Sequence, residues 1–362
     1  MKQWLETRDV FDFLARVRGA GKRAALATVV RVRGSAYRHE GAKLAVAEDG
    51  SSAGNVSGGC LEQDVREVGL QVIRGGGEPQ LKSYCSSADE IAAWDLGVGC
   101  EGQVDVYIEP AEARPRERTL LDGRSPFAVA TAIGMRAARS GMRLIVTRDG
   151  AEGDLGGVEL NRLVAVQSRS LLAVGESGTH EVAGRSVFID VLVPPPQLVV
   201  LGAGDDARSL ARFAADVGFR VVVVDRRPAY LTRDRFPGAA ALVHSAGDEL
   251  DEALPLDSEC YAVVMNHNFA DDQSYVRALL KTPVAYIGML GPRQRTERIL
   301  RNLAAETAID ESRVYGPVGL DIGTDGAEQV ALAVIAEILA LRSGRRARSL
   351  RERQAPIHAP TD

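Results

Sequence analysis

One stretch constrains this chain more than any other. An apolar, β-branched run at 198–201 leads directly into Gly202-Ala203-Gly204-Asp205-Asp206-Ala207, and a helical pattern follows from 206 to 217. A chain entering a helix this way needs the first glycine for the tight turn. The second lets a pyrophosphate approach the backbone, and the small residue at Ala207 lets helix and strand pack closely. The amides at such a helix start form an anion site. Asp225 ends the next apolar run, 220–224, where an acid commonly bonds ribose hydroxyls. Further strands are predicted at 240–243, 261–266 and 284–289, with helices at 273–280, 293–303 and 327–341. Continuous apolar strands alternating with helices imply a parallel sheet covered on both faces, a Rossmann-type doubly wound domain. Asp205 and Asp206 put negative charge beside the expected pyrophosphate. The pattern therefore reads either as a working nucleotide site, with NAD(P) one candidate ligand, or as a Rossmann fold whose site is vestigial.

Pro194-Pro195-Pro196 marks a boundary, because three prolines cannot sit in a central strand and favour a stiff linker. The expected domains are 1–195 and 196–342, with 343–362 as a disordered tail. Before the prolines the chain repeats itself. ALATVV at 25–30 resembles FAVATAI at 127–133, KLAVAEDG at 43–50 resembles RLIVTRDG at 143–150, and VDVYIEP at 104–110 resembles VFIDVLVPP at 187–195. Two similar strand-strand-helix-strand units are therefore expected, over 24–110 and 127–195. Their first strands are expected side by side in one sheet, because one unit alone offers little core. The copies differ before their helices. Copy one carries Ser57-Gly58-Gly59-Cys60, whereas copy two carries Gly156-Gly157-Val158 and no cysteine, so chemistry is expected in copy one.

Ser57, Gly58, Gly59 and Cys60 read as an anion-binding nest that ends in a thiol at a helix start, a position that makes thiols reactive. A small buried cysteine in a turn is the plainer alternative. Gly99 and Cys100 form a second glycine loop, which reads equally as a strand entry. Arg38 and Lys43 lie in a basic loop that suits a phosphate or serves only as a solvated connection. In the second domain Asn266, His267, Asn268 and Arg293 follow strands, at the ends where parallel sheets bind ligands. His267 is the one candidate proton donor for a rival reading, an NAD(P)-dependent oxidoreductase. The net charge of −5 argues against nucleic acid as a main partner. The longest apolar runs are too short to span a membrane. The four cysteines form no CxxC pair, so no metal site is expected, and they suit a reducing cytoplasm.

Several long segments, in collinear order, resemble the XdhC/CoxI family of molybdenum-enzyme maturation factors: GSAYRHEGAK at 34–43, GNVSGGCLEQDV at 54–65, DLGVGCEGQVDVYIEP at 95–110, MNHNFADD at 265–272, YIGMLGPRQRTERI at 286–299 and GPVGLDIG at 316–323. The resemblance implies a maturation chaperone rather than an enzyme. Such a protein binds the molybdenum cofactor, a molybdopterin sometimes extended to a dinucleotide. It protects the cofactor while a cysteine desulfurase supplies sulfur and then delivers it to xanthine dehydrogenase or a related molybdenum hydroxylase. A reduced thiol at Cys60 is compatible with that role, as a soft contact to molybdenum or its sulfur, and a homodimer is the expected assembly. An assembly partner with a vestigial nucleotide site is the third reading.

Overall fold

The computed structural model describes residues 2–34, 36–85, 102–133 and 142–354. The chain divides into two compact units, Met1–Pro194 and Pro195–Asp362.

The first unit begins with helix α1 (Lys2–Gly19). Copy one follows as β1 (Ala24–Gly34), β2 (Lys43–Ala47), β3 (Ser52–Gly54), α2 (Glu62–Arg74), β4 (Gln80–Cys85) and β5 (Gly102–Pro110). Helix α3 (Pro115–Asp122) leads to copy two: β6 (Phe127–Ala132), β7 (Arg143–Val146), β8 (Ala151–Gly153), α4 (Val158–Val174), β9 (Gly178–Val182) and β10 (Arg185–Leu192). The strand orders match, β3-β2-β1-β5-β4 and β8-β7-β6-β10-β9, and every pairing is antiparallel. The registers match as well. Ala27 pairs with Leu44 and Ile108, and Ala130 pairs with Leu144 and Ile189.

The expectation of one shared sheet is corrected, because β1 and β6 lie in separate five-stranded sheets. The strands are apolar on both faces, and each face has its own cover. In copy one Ala25, Ala27, Leu44, Val46, Val106 and Ile108 pack with Val65, Val68 and Val72 of α2. The alternate residues Leu26 and Ala45 meet Phe127, Val129, Ile145 and Leu192 of copy two, together with Trp4, Val10, Phe11 and Leu14 of α1. The sheets thus bury their inner faces against each other, where a single merged sheet would leave one apolar face in water.

That inner layer is crossed by two buried ion pairs. Lys43 of copy one donates to Asp190 of copy two at 2.5 Å, and Arg143 of copy two donates to Glu109 of copy one at 2.6 Å. By register Lys43 matches Arg143, since each lies opposite a threonine, Thr28 or Thr131. Glu109 matches Asp190 in the same way, opposite Leu26 or Val129. Each copy gives its cation to the other's acid, the reciprocity of a two-fold interface written within one chain.

Gly54 and Gly153 close the same bend in the two copies, with φ of +95° and +109°. A Cβ at either would stand 2.2 or 2.1 Å from the carbonyl oxygen of Lys43 or Arg143. Gly54→Ala or Gly153→Ala is therefore expected to destabilise the first unit by at least ~1–3 kcal/mol in urea unfolding, from the backbone conformation alone. Contact with a backbone carbonyl leaves little room for relaxation.

The second unit runs β11 (Gln197–Leu201), α5 (Asp205–Asp216), β12 (Arg220–Asp225), β13 (Ala241–His244), α6 (Leu250–Ala253), β14 (Cys260–Val264), α7 (Phe269–Leu280), β15 (Tyr286–Met289), α8 (Arg293–Ala304), β16 (Val314–Tyr315) and α9 (Ala327–Arg342). Its six strands are parallel in the order β13-β12-β11-β14-β15-β16, the Rossmann arrangement. The two-residue β16 and the one-turn helix α6 have no counterpart in the sequence reading, being too short to show a pattern. The carboxyl ends of β11 and β12 bring the glycine loop beside Asp225.

Candidate functional site

In copy one the whole segment between β3 and α2, residues 55–61, is a loop, whereas the last three of the matching residues in copy two are already helical. The equivalence is fixed by one hydrogen bond. Val56 N–H donates to Glu62 Oε1 at 3.1 Å, and Leu155 N–H donates to Asn161 Oδ1 at 2.8 Å, six residues ahead in each case. Glu62 is the first residue of α2, but Asn161 already lies inside α4, which starts at Val158. Residues 59–61, which match Val158, Glu159 and Leu160 of α4, thus stay outside α2. Of the four residues read as an anion nest, Ser57 gives its amide to the chain's own Glu62, alongside Val56, while Gly58 N–H donates to Asn55 Oδ1 at 2.8 Å. Ser57 N–H and Oγ–H both donate to Glu62, at 2.9 and 2.5 Å, while Leu61 N–H donates to Ser57 Oγ at 2.8 Å. Burial alone would raise the Glu62 carboxyl, but the bonds from Ser57 and Val56 outweigh it and hold the carboxyl below its ordinary value.

Gly58 and Gly59 carry the loop through positive φ, +91° and +126°. The Tyr37 ring lies on Gly58, where a Cβ would come within 2.6 Å of it, yet Tyr37 is 72% exposed. Cys60 is exposed beside them. It precedes Leu61, the N-cap of α2, so it stands just ahead of the helix start rather than in its first turn. Glu62 and Tyr37 are members of this loop's structure that sequence reasoning did not single out. An acid at the first helical position after a glycine loop was the available signal for Glu62, whereas Tyr37 was legible only as one member of a polar loop.

Lys43 and Arg38, candidates for gripping a phosphate, are engaged elsewhere. Lys43 sits in its buried pair with Asp190, and both guanidinium ends of Arg38 face Glu6. Gly99 and Cys100 lie outside the described residues. They belong to residues 86–101, which join β4 to β5 where copy two joins β9 to β10 through Ala183-Gly184 alone. Cys85 is exposed at the end of β4, next to Tyr84, whose hydroxyl donates to Asp64 of α2 at 2.6 Å. Cys260 is buried in β14 against Asp257 and Gln197, a packing role. Among the described residues no three His, Cys, Asp or Glu side chains are grouped to hold a metal ion.

In the second unit the glycines divide in role. Gly202 has φ +115°, and a Cβ there would stand 2.7 Å from the carbonyl oxygen of Met265, so the chain's own packing demands it. Gly204 caps α5, and a Cβ there would meet no described atom within 4 Å. The loop is thus open at Gly204, whereas at Gly202 it is closed against the Met265 backbone. Ala207 is fully buried, as close helix packing requires. Asp225 is buried with both oxygens occupied. Oδ2 accepts from Ala203 N–H at 2.7 Å and Arg227 Nη2 at 2.9 Å, and Oδ1 accepts from Arg227 N–H at 2.8 Å and Nε at 3.0 Å. Burial pushes this carboxyl up, but the bonds from Arg227 and Ala203 more than offset it and hold it low.

The segment after β14 is anchored on both sides of one histidine. Asn266 bridges the carbonyl of Leu201 and Asp272, and Asn268 caps α7 by accepting from Ala270 and Asp271 N–H. Between them His267 takes φ +58° and places Nε2 3.4 Å from Asp206 Oδ2 at the start of α5. Arg293 is exposed at the first position of α8, while Arg295 holds Asp272.

A family model described as the XdhC and CoxI family matches residues 17–84, the stretch that contains the Cys60 loop. A second, described as the XdhC Rossmann domain, matches residues 198–338. A protein of Bacillus subtilis (strain 168), described as a probable xanthine dehydrogenase subunit, is 34% identical over 326 residues, covering 88% of this chain and 93% of that protein. The chain belongs to the XdhC and CoxI family. The molybdenum cofactor insertion chaperone PaoD of Escherichia coli (strain K12) is 23% identical over 343 residues, covering 92% of this XdhC-family chain and 88% of its own. A crystal structure described as a xanthine dehydrogenase from Bacillus halodurans superposes with a TM-score of 0.75 at 28% identity, covering 94% of this chain and 98% of that one.

Proposed function

We propose that the chain is an accessory protein of molybdenum-enzyme maturation. It holds the molybdenum cofactor at the Cys60 loop, shields it while a cysteine desulfurase supplies its terminal sulfur, and passes it to a xanthine dehydrogenase-type hydroxylase. The names of the Bacillus subtilis and Escherichia coli relatives support this class of role. One observation carries the placement. Of two copies with the same strand order, only copy one opens its pre-helix segment into a glycine loop with an exposed thiol and an exposed aromatic ring. A soft thiolate suits molybdenum or its sulfur ligand, and the flat Tyr37 face suits a pterin ring. Glu62 fixes the loop without closing it, so the thiol and ring are positioned before any ligand arrives.

The test is cofactor analysis of the full chain purified from a molybdenum-replete host. Metal analysis is expected to find molybdenum, and acid denaturation is expected to release a fluorescent pterin in proportion to it. Protein that carries neither, from a host whose molybdenum enzymes are loaded, would overturn the proposal.

A further inference from the structure

We propose that the Rossmann unit selects a nucleotide whose ribose carries a phosphate at the β12 edge, of the NADP kind, over one that offers a free ribose diol there. This rests on reading the unit as an occupied nucleotide site rather than a vestigial one. An acid at the end of the second strand serves a diol only if its oxygens can accept from the hydroxyls. Here Asp225 is already bonded four times, and Arg227 supplies three of those bonds. A diol would have to displace charge-assisted bonds from a fully buried carboxylate. What the edge offers outward is the guanidinium, since Asp225 is buried while the Arg227 side chain is 40% exposed.

That guanidinium is held in place. Its two bonds to Asp225 use Nε and Nη2, and its plane lies 4.1 Å from the centroid of the Tyr230 ring. Nη1 makes no hydrogen bond among the described residues. A second arginine borders the same ring. Arg235 stands 5.1 Å from the Tyr230 centroid and donates through Nη2 to the carbonyl of Ala203, between the two loop glycines, and to Asp205. Its Nε is buried with no partner among the described residues. Two guanidinium groups therefore flank one ring from the β12 edge to the glycine loop. A 2′-phosphate would accept hydrogen bonds from them, and the adenine would find an arginine and a tyrosine face nearby. Arg235 also meets Asp205, one of the two carboxylates that would oppose a pyrophosphate, so the loop's charge is partly answered from within the same unit.

The experiment is calorimetry on the full chain with NADP+ and NAD+, repeated on Arg227→Gln. Wild-type protein is expected to bind NADP+ at least about tenfold more tightly than NAD+, which corresponds to ~1.4 kcal/mol. Arg227→Gln is expected to weaken NADP+ by about the same factor and not to weaken NAD+, because it removes the phosphate contact and frees Asp225 from two side-chain bonds. Equal or tighter binding of NAD+ by wild type, no binding of NADP+, or equal weakening of both ligands in the variant would overturn the inference. The wild-type comparison stands even if the variant fails to fold. Molybdenum and pterin content of the same preparation reads the Cys60 proposal separately. Cofactor retained by protein that ignores NADP+ sinks this inference alone.

Discussion

Cys60→Ser is expected to lose molybdenum and pterin by about tenfold or more, a change in binding of ~1.4 kcal/mol or greater. Its unfolding midpoint should stay at the wild-type value. The two halves of this expectation have separate physical grounds. Cys60 is exposed and precedes the N-cap of α2, so its side chain lies outside the core and ahead of the first helical turn. Surface substitutions of that kind stay within ~0.5 kcal/mol. The hydroxyl keeps the size of the thiol but not its softness toward molybdenum or sulfur. Cofactor content per chain, urea unfolding and activation of a hydroxylase apoenzyme together decide the matter. A serine variant that loads and activates as well as wild type would move the cofactor away from this loop. A variant that loses cofactor only because it unfolds would show a lowered midpoint.

The largest stability effect is expected at the crossed ion pairs. Lys43→Ala leaves Asp190 buried with its cation removed, and breaking a buried pair from one side costs ~3–5 kcal/mol. Among the described residues Asp190 then keeps Gln3, at 2.9 Å, and a long contact from Ser177 at 3.5 Å. Removing both partners together, as Lys43→Met with Asp190→Leu, should recover most of the loss. Well-packed apolar replacements of buried pairs are often neutral or stabilising by ~1–4 kcal/mol. Glu109 differs from Asp190, because it accepts from Arg114 as well as Arg143, both at 2.6 Å. Glu109→Ala would strand two guanidinium groups and should be the most damaging single change in the layer. Trp4, buried in the same core against Phe127, reports its unfolding by fluorescence. If the double variant proves as unstable as Lys43→Ala, the loss arises from packing at these positions and not from a stranded charge.

The second unit was largely legible in the sequence because its determinants are local. Each strand is a short apolar run bounded by a turn, and the glycine loop, its helix and the following acid lie within thirty residues or so, roughly one supersecondary unit. The repeat in the first unit was legible for the same reason. Strand order then follows from short connections, and matching patterns give matching sheets. Copy two even begins its helix at Val158, as its pattern predicts.

What tertiary structure alone decided are the partners of the polar residues. Lys43 reads as a phosphate ligand from its neighbours in sequence, but its acid, Asp190, lies in the other copy, and no local pattern announces a pair so distant in the chain. Asp225 reads as a ribose ligand from its strand position. Whether its oxygens are open depends on the path of the chain at Arg227 and on the nearness of Ala203. The loop before α2 reads as an anion site, but only the folded structure shows that the amides of Val56 and Ser57 hold Glu62. Apolar pattern is a property of consecutive residues, so sequence carries it. A charge is defined by what faces it across space, and in this protein that is set by two sheets meeting face to face and by strands that end side by side.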